Sequence, residues 1–209
     1  MYFDAHTHTL KADALVNVSP EAFCPLPGYL YSVGIHPWES ERADEAMWAL
    51  LQRHAAHPQV RAVGETGLDR LTRADWSRQE EAFVRQARLA EEVGKPLVVH
   101  AVRTAADILH WKKRLRPAMP WVVHGFRGNP QLAAQYAAAG LYVSVGEKCR
   151  AEALAACPVE RLLVETDEAT IPIEAVYARV AACLGADVQG LAAQVEQTCR
   201  RLFFPIPGL

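Results

Sequence analysis

Seven ionisable side chains recur at one kind of place in this sequence, the carboxyl end of a short apolar run. "DAHTH" carries His6 and His8, "VGIHPWE" carries His36, "PLVVH" ends on His100 and "VVHGFRG" holds His124. Two acids share the placement: Glu65 in "VGETGLD" and Asp167 in "LLVETDEA". His6 and His8 lie two apart, so on a strand both face the same side. Burying so many ionisable groups together is costly unless something pairs them, and a pair of divalent cations would do so. Imidazole and carboxylate donors without thiolates suit zinc, manganese, iron or nickel, and carboxylates also admit magnesium. Paired cations lower the pKa of a bridging water toward neutrality and stabilise both oxygens of an in-line displacement on phosphorus.

Taken singly, each residue has a plainer reading. A strand-end histidine can be a hydrogen-bonded structural residue. His36 before Pro37 can shape a turn. Asp167 can cap the next helix, leaving Glu165 as the acid that matters. Asp167 is also open to two roles within a metal site, as ligand only or as the group that orients the water and accepts its proton. His36 is not needed to fill a metal shell, which leaves it to bind a non-bridging phosphate oxygen or to protonate the leaving group. His54, His57 and His110 fall in helices or at their ends, as scattered surface histidines do.

The elements that would position these groups alternate. β-rich runs lie at 1–6, 14–18, 29–36, 60–65, 96–100, 121–124, 141–146 and 161–167. Helical periodicity covers about 39–56, 76–93, 103–115, 129–139, 148–156, 173–184 and 188–203. Apolar strands alternating with helices imply a parallel sheet covered by helices. Eight strands imply an α/β fold of the (β/α)8 TIM-barrel type, with all strand carboxyl ends on one catalytic rim. Only "THTLKAD" joins the first two strands, so the barrel is compact and its first two units are where distortion is expected. Gly64, Gly67, Gly125 and Gly128 are expected to permit tight turns near the metals. No linker or repeat divides residues 1–209, which read as a single domain.

Composition narrows the function. About half of the 209 residues are apolar and the net charge is -2. That argues against sequence-blind coating of nucleic acid, which needs a broad basic face. Five cysteines without a C-x-x-C give no disulfide framework. The start "MYFDAHTHTL" lacks a signal-peptide pattern and no run is long enough for a membrane span, so a cytoplasmic protein is the default. No obligate protein partner is evident. Arg70, Arg103, Arg127, Lys148 and Arg150 follow rim strands. Alone, each reads as a solvated charge; together around a metal pair they form a funnel for an anionic substrate. Asp69 and Thr66 are candidates to steady the ligands from behind. The C-terminal "RRLFFPIPGL" leaves open whether its aromatics cover the barrel base or form a contact.

The chain resembles the TatD family of metal-dependent deoxyribonucleases, within the amidohydrolase-like barrel superfamily. The resemblance rests on "DAHTH", "GIHPWE", "VGETGLD", "QEEAFVRQARLAEEVGKPLVVH", "VVHGFRGN" and "LLVETD", spread from residue 4 to residue 167. It implies that His6, His8 and Asp167 hold one divalent ion, that His100 and His124 hold a second, and that Glu65 bridges them. The chain departs from the family's pattern in its cut first connection, in "ETDEATIPIEAV" after the last strand, and in "HAVR", which puts Arg103 three places after His100. It resembles a short branch.

The expected activity is therefore metal-dependent hydrolysis of DNA ends or single strands, or of a small phosphodiester. An amidohydrolase cleaving C–N or lactone bonds is the competing enzyme; many such barrels carry a carboxylated lysine where Glu65 stands. A non-catalytic metal-binding barrel would need a lost ligand, and none is missing.

Overall fold

A computed structural model describes residues 2–204. Eight parallel strands follow one another in spatial order: β1 (Asp4–Thr7), β2 (Ala14–Val18), β3 (Leu30–Val33), β4 (Val60–Asp69), β5 (Leu97–Val102), β6 (Trp121–Val123), β7 (Tyr142–Val145) and β8 (Leu162–Val164). The seam between β8 and β1 is closed by a single parallel bridge, Thr7 to Asp167. Asp167 donates its N–H to the His6 carbonyl at 3.0 Å, and His8 donates to the Asp167 carbonyl at 3.3 Å. Buried Asp4 reinforces the seam by accepting the Thr166 N–H at 3.0 Å and the Thr166 hydroxyl at 2.6 Å. Lys11 caps Asp4 at 2.5 Å. The fold is the expected (β/α)8 barrel.

The helices are α1 (Glu45–Ala55), α2 (Trp76–Val93), α3 (Ala105–Leu115), α4 (Pro130–Ala138), α5 (Ala151–Ala155), α6 (Ile173–Leu184) and α7 (Val188–Phe203). No helix stands between β1 and β2 or between β2 and β3. The abbreviation read from "THTLKAD" is real, and the β1–β2 register it joins shifts between Asp4 and Thr7, whereas β2 to β3 is regular from Leu15–Leu30 to Val18–Val33. Helix starts follow local chemistry. Asp44, Asp75, Asn129 and Asp187 each accept a first-turn N–H, and Gly94 and Gly185 end α2 and α6 in the left-handed region. The expected helix at 39–56 divides into a 3-10 segment (Pro37–Arg42) and α1, because Asp44 caps a fresh start.

The sequence places Glu65 at the end of β4 and makes Gly64 and Gly67 turn residues; both expectations are corrected. β4 runs on to Asp69, with its pairing to β5 shifting between Val63 and Thr66. Glu65 sits in that bulge, and both glycines lie inside the strand. A bulge leaves backbone groups without ladder partners. Asn17 accepts the Glu65 N–H there at 2.7 Å, and two buried glutamines on one stripe of α2 brace the segments on either side. Gln86 accepts the Ile35 N–H at 2.8 Å and donates to the Ile35 carbonyl at 2.9 Å and the Thr66 hydroxyl at 2.6 Å. Gln79 accepts the Asp69 N–H at 2.8 Å. Gln86→Leu keeps the volume but orphans these groups. Each unsatisfied buried group costs about 1–3 kcal/mol, so the melting temperature should fall by about 6–12 °C. Thermal unfolding followed by circular dichroism checks this; an unchanged midpoint would show that Gln86 only fills space.

At the opposite end, Phe203 stacks on Phe3 at 6.2 Å and Phe204 meets it edge-on at 6.0 Å. Phe3 precedes β1, so these aromatics cover the amino-terminal base of the barrel. The rest of "FFPIPGL", residues 205–209, lies outside the described residues. Among the described residues no helix is long and apolar enough to cross a membrane.

Candidate metal centre at the barrel mouth

Glu65 organises the mouth. Its side chain is 3 % exposed, and its two oxygens face different histidines. Oε1 lies 2.7 Å from His100 Nδ1, 2.7 Å from His124 Nε2 and 3.3 Å from His36 Nε2. Oε2 lies 3.4 Å from His6 Nε2 and 3.6 Å from His8 Nε2. Asp167 completes the second side, with Oδ1 3.6 Å from His8 and 3.9 Å from His6. All seven sequence-selected residues are thus brought together. Three groups have donor atoms within 4.8 Å of one another: His6–His8–Asp167, His6–Glu65–His124 and His36–Glu65–His100.

Backbone geometry aims these groups. Asp167 holds φ at 55°, a left-handed conformation unusual for a non-glycine residue and concentrated at functional sites. Asn17 of β2 grips Glu65 twice: its Oδ1 accepts the Glu65 N–H at 2.7 Å, and its amide lies 3.4 Å from Oε2. Ser32 orients Asn17 by donating to the same Oδ1 at 3.0 Å. Glu165 accepts the Gly125 N–H at 2.6 Å and lies 3.8 Å from His124 Nδ1, behind that ring. Asp69 stands behind His100, 3.2 Å from its Nε2. Thr66, the other residue expected there, bonds Gln86 instead. Asn17 escaped the sequence reading; its only signal was a lone amide in "ALVNV".

The electrostatics follow from burial and proximity. Burial opposes ionisation of Glu65, but the charge of His124 and hydrogen bonds from His100, His124 and His36 outweigh it and hold the carboxyl well below its usual range. Burial likewise opposes protonation of His124, and the charge of Glu65 with the nearby Glu165 carboxylate carries it well above the ordinary imidazole range. Burial and neighbouring His6 push His8 down, against the pull of Glu65, Asp167 and Glu168. For Asp69, the indole of Trp38, the Leu71 N–H and His100 overcome burial and lower its pKa.

The donor set fits divalent cations. Both ring nitrogens of His6 are buried without a geometrically sound hydrogen bond, as are His124 Nδ1 and Glu165 Oε2. Buried imidazole nitrogens are ordinarily satisfied, and His6 Nε2, orphaned 3.4 Å from Glu65 and 3.9 Å from Asp167, is one a metal would complete.

Beside the cluster, a cavity of about 620 Å³ opens between the loops after β5 and β6, lined by His100, Arg103, His124, Phe126, Arg127 and Asp167 among others. A smaller cavity of about 270 Å³ adjoins it, bordered by Arg127, Lys148 and Asp167. Arg103, Arg127 and Lys148 are exposed at these walls. Arg70 is differently placed: its Nη2 donates to both carboxylate oxygens of Asp107, at 2.9 and 3.0 Å, and its guanidinium lies 4.1 Å over the Trp76 ring.

A parallel eight-stranded barrel with thiolate-free imidazole and carboxylate donors at its carboxyl-end mouth belongs to the metal-centred class of TIM barrels. Within that class, residues 21–204 match the model of the TatD related DNase family. A 3'-5' ssDNA/RNA exonuclease TatD from Musicola paradisiaca is 35% identical over 155 residues, 68% of this chain and 58% of that protein. An uncharacterised metal-dependent hydrolase TatD from Mycobacterium tuberculosis is 34% identical over 149 residues, 65% of this chain and 56% of that one. The crystal structure of YJJV, a TatD homologue from Escherichia coli, superposes with a TM-score of 0.83 over 92% of this chain and 86% of that one, at 24% identity. The chain belongs to the TatD related DNase family, and its matches span a little over half the length of these two curated relatives.

Proposed function

We propose that this chain is a metal-dependent phosphodiesterase that hydrolyses DNA at ends or in single strands, through one barrel domain that works in the cytoplasm. The observation that carries the reading is the divided Glu65 carboxylate, each oxygen facing its own set of histidines. His6, His8 and Asp167 would hold one divalent cation, His100 and His124 a second, with Glu65 between them. Such a pair would acidify a water and neutralise charge developing on the phosphate. Membership of the TatD related DNase family, and relatives named as single-strand exonucleases, support a nucleic-acid substrate. Free cysteines support a reducing compartment.

The remaining chemistry falls to side chains of the chain. Asp167 is partly exposed at the mouth and its Oδ1 faces His6 and His8, so it can orient the attacking water and accept its proton. His36 accepts the Trp38 N–H on Nδ1, which leaves the proton on Nε2, the nitrogen turned toward the cluster. From there it can donate to a phosphate oxygen or to the leaving group. Arg103, Arg127 and Lys148 line the cavities beside Asp167 and would hold the flanking phosphates. Arg70 would contribute only after leaving Asp107.

Two measurements test this. Metal analysis should find two equivalents per chain after loading with manganese, and chelation should abolish cleavage of single-stranded DNA until metal is returned. Protein that cleaves neither DNA nor a generic phosphodiester, but opens lactones or amides, would overturn the proposal. The double substitution Arg103→Ala with Arg127→Ala should raise KM for longer DNA by about tenfold, the scale expected of two charge-assisted contacts. An unchanged KM would return both to solvated surface charge.

A further inference from the structure

Trp38 is 61 % exposed, and Leu71 matches it. Both stand at the mouth, and one carboxylate fixes both. Asp69 Oδ2 accepts the Trp38 indole N–H at 2.7 Å, and Asp69 Oδ1 accepts the Leu71 N–H at 2.7 Å. The Trp38 backbone is also held, its N–H on His36 at 3.2 Å. The indole centroid lies 4.7 Å from the His36 ring and 6.3 Å from the His100 ring. A large apolar ring left in water is a cost that folding alone does not require. A ring already restrained has also given up the rotamer freedom that binding would otherwise remove.

We infer that the Trp38 indole is a stacking platform for an unpaired nucleobase of the strand whose phosphate lies over the histidine cluster. This deepens the phosphodiesterase reading and rests on it. Its indole N–H is directed into the site, so the rest of the ring is what solvent and substrate meet. It stands on the β3 side of the cluster, while Arg103 and Arg127 stand on the β5–β6 side. A strand laid across the mouth would therefore place phosphates on the arginines and a base on Trp38. Base–aromatic stacking accepts every base, because each has a π face, and it requires that the base be free of its partner. Trp38 would thus impose a preference for single strands without sequence readout, stronger for purines.

The test separates stacking from catalysis. Manganese-loaded protein is titrated with a short single-stranded oligodeoxynucleotide whose phosphorothioate linkages slow cleavage. 2-Aminopurine replaces one base at each position in turn. One position should show quenched emission with the wild-type protein. Trp38→Ala should abolish that quenching and weaken binding by about tenfold, and Trp38→Phe should retain most of both. An abasic residue at the same position should weaken binding to wild type by a similar factor and to Trp38→Ala not at all. Quenching at no position, or quenching indifferent to Trp38→Ala, overturns the inference. So does an equal loss on the oligonucleotide and on bis(p-nitrophenyl) phosphate with abasic discrimination intact, since the indole would then serve only to hold Asp69. Hydrolysis is scored separately: quenching without cleavage removes the phosphodiesterase reading and leaves the platform, and cleavage without quenching does the reverse.

Discussion

Glu65→Gln should lower phosphodiester cleavage by at least about a thousandfold, the scale seen when a preorganised charge at a reacting centre is removed. The substitution preserves shape and exchanges one oxygen for a donor amide. Five imidazoles face the present carboxylate through one oxygen or the other. An amide cannot accept from both sides, and it carries no charge to offset the two cations proposed. Metal content should therefore fall from the two equivalents proposed to less than one. Asp167→Asn gives the contrast: it faces only His6 and His8. It should abolish turnover while the His100–His124 side still takes up metal. If both variants lost the same single equivalent, Glu65 would not lie between two ions. Glu65→Gln also leaves His124 buried opposite a neutral group. Breaking one partner of a buried pair costs about 3 kcal/mol where the imidazole can respond by losing its proton. The metal-free variant should therefore melt about 6–12 °C lower, and circular dichroism at low temperature should still report the barrel.

Gly67→Ala is expected to damage stability more than any other single methyl addition near the site. Gly67 holds φ at 150°, a conformation that L side chains rarely adopt. A Cβ there would also fall inside the carbonyl of His100, the residue it pairs with across β4 and β5. Neither backbone can yield without breaking the bulged register that carries Glu65. Strain of this kind combined with backbone overlap costs about 4 kcal/mol. The midpoint of urea unfolding should shift accordingly with an unchanged slope. Because the shift moves His100, metal content should fall even in protein that remains folded. A stable variant with two metals would show that β4 and β5 can part locally. Gly34 is the comparison, since a Cβ there would come within 2.5 Å of the Gly64 backbone.

The residues of the site were legible because each ligand-type side chain closes or interrupts an apolar run, and parallel strands carry their carboxyl ends to one rim. Local pattern and the parallel order of the strands suffice for this. The same pattern puts His6, His8, His36, His100, His124 and Asp167 on one rim, and their side chains gather at the mouth. Glu65 reaches the mouth for a further reason, since "GETG" reads as a turn when judged by its glycines. Pairing of Thr66 to Asp69 with β5 makes it strand. Helix limits were clear where caps are local: α2, α6 and α7 carry Asp75 and Gly94, Gly185, and Asp187.

What the chain dictates by itself is the alternation of strand and helix, the abbreviated first crossovers and the thiolate-free donor set. These follow from periodicity, capping and composition, all of which act over a few residues. Tertiary structure alone decided which oxygen of Glu65 meets which imidazole. It also decided that Asn17 serves the β4 bulge, that Gln86 ties Thr66 to Ile35, that Asp4 seals the last strand to the first, that Arg70 is held on Asp107 while Arg103 lines the cavity, and that Trp38 is pinned yet uncovered. Each of these depends on a partner far away along the chain. A hydrogen bond is set by direction and distance in space, and those are known only once register has brought the two segments side by side.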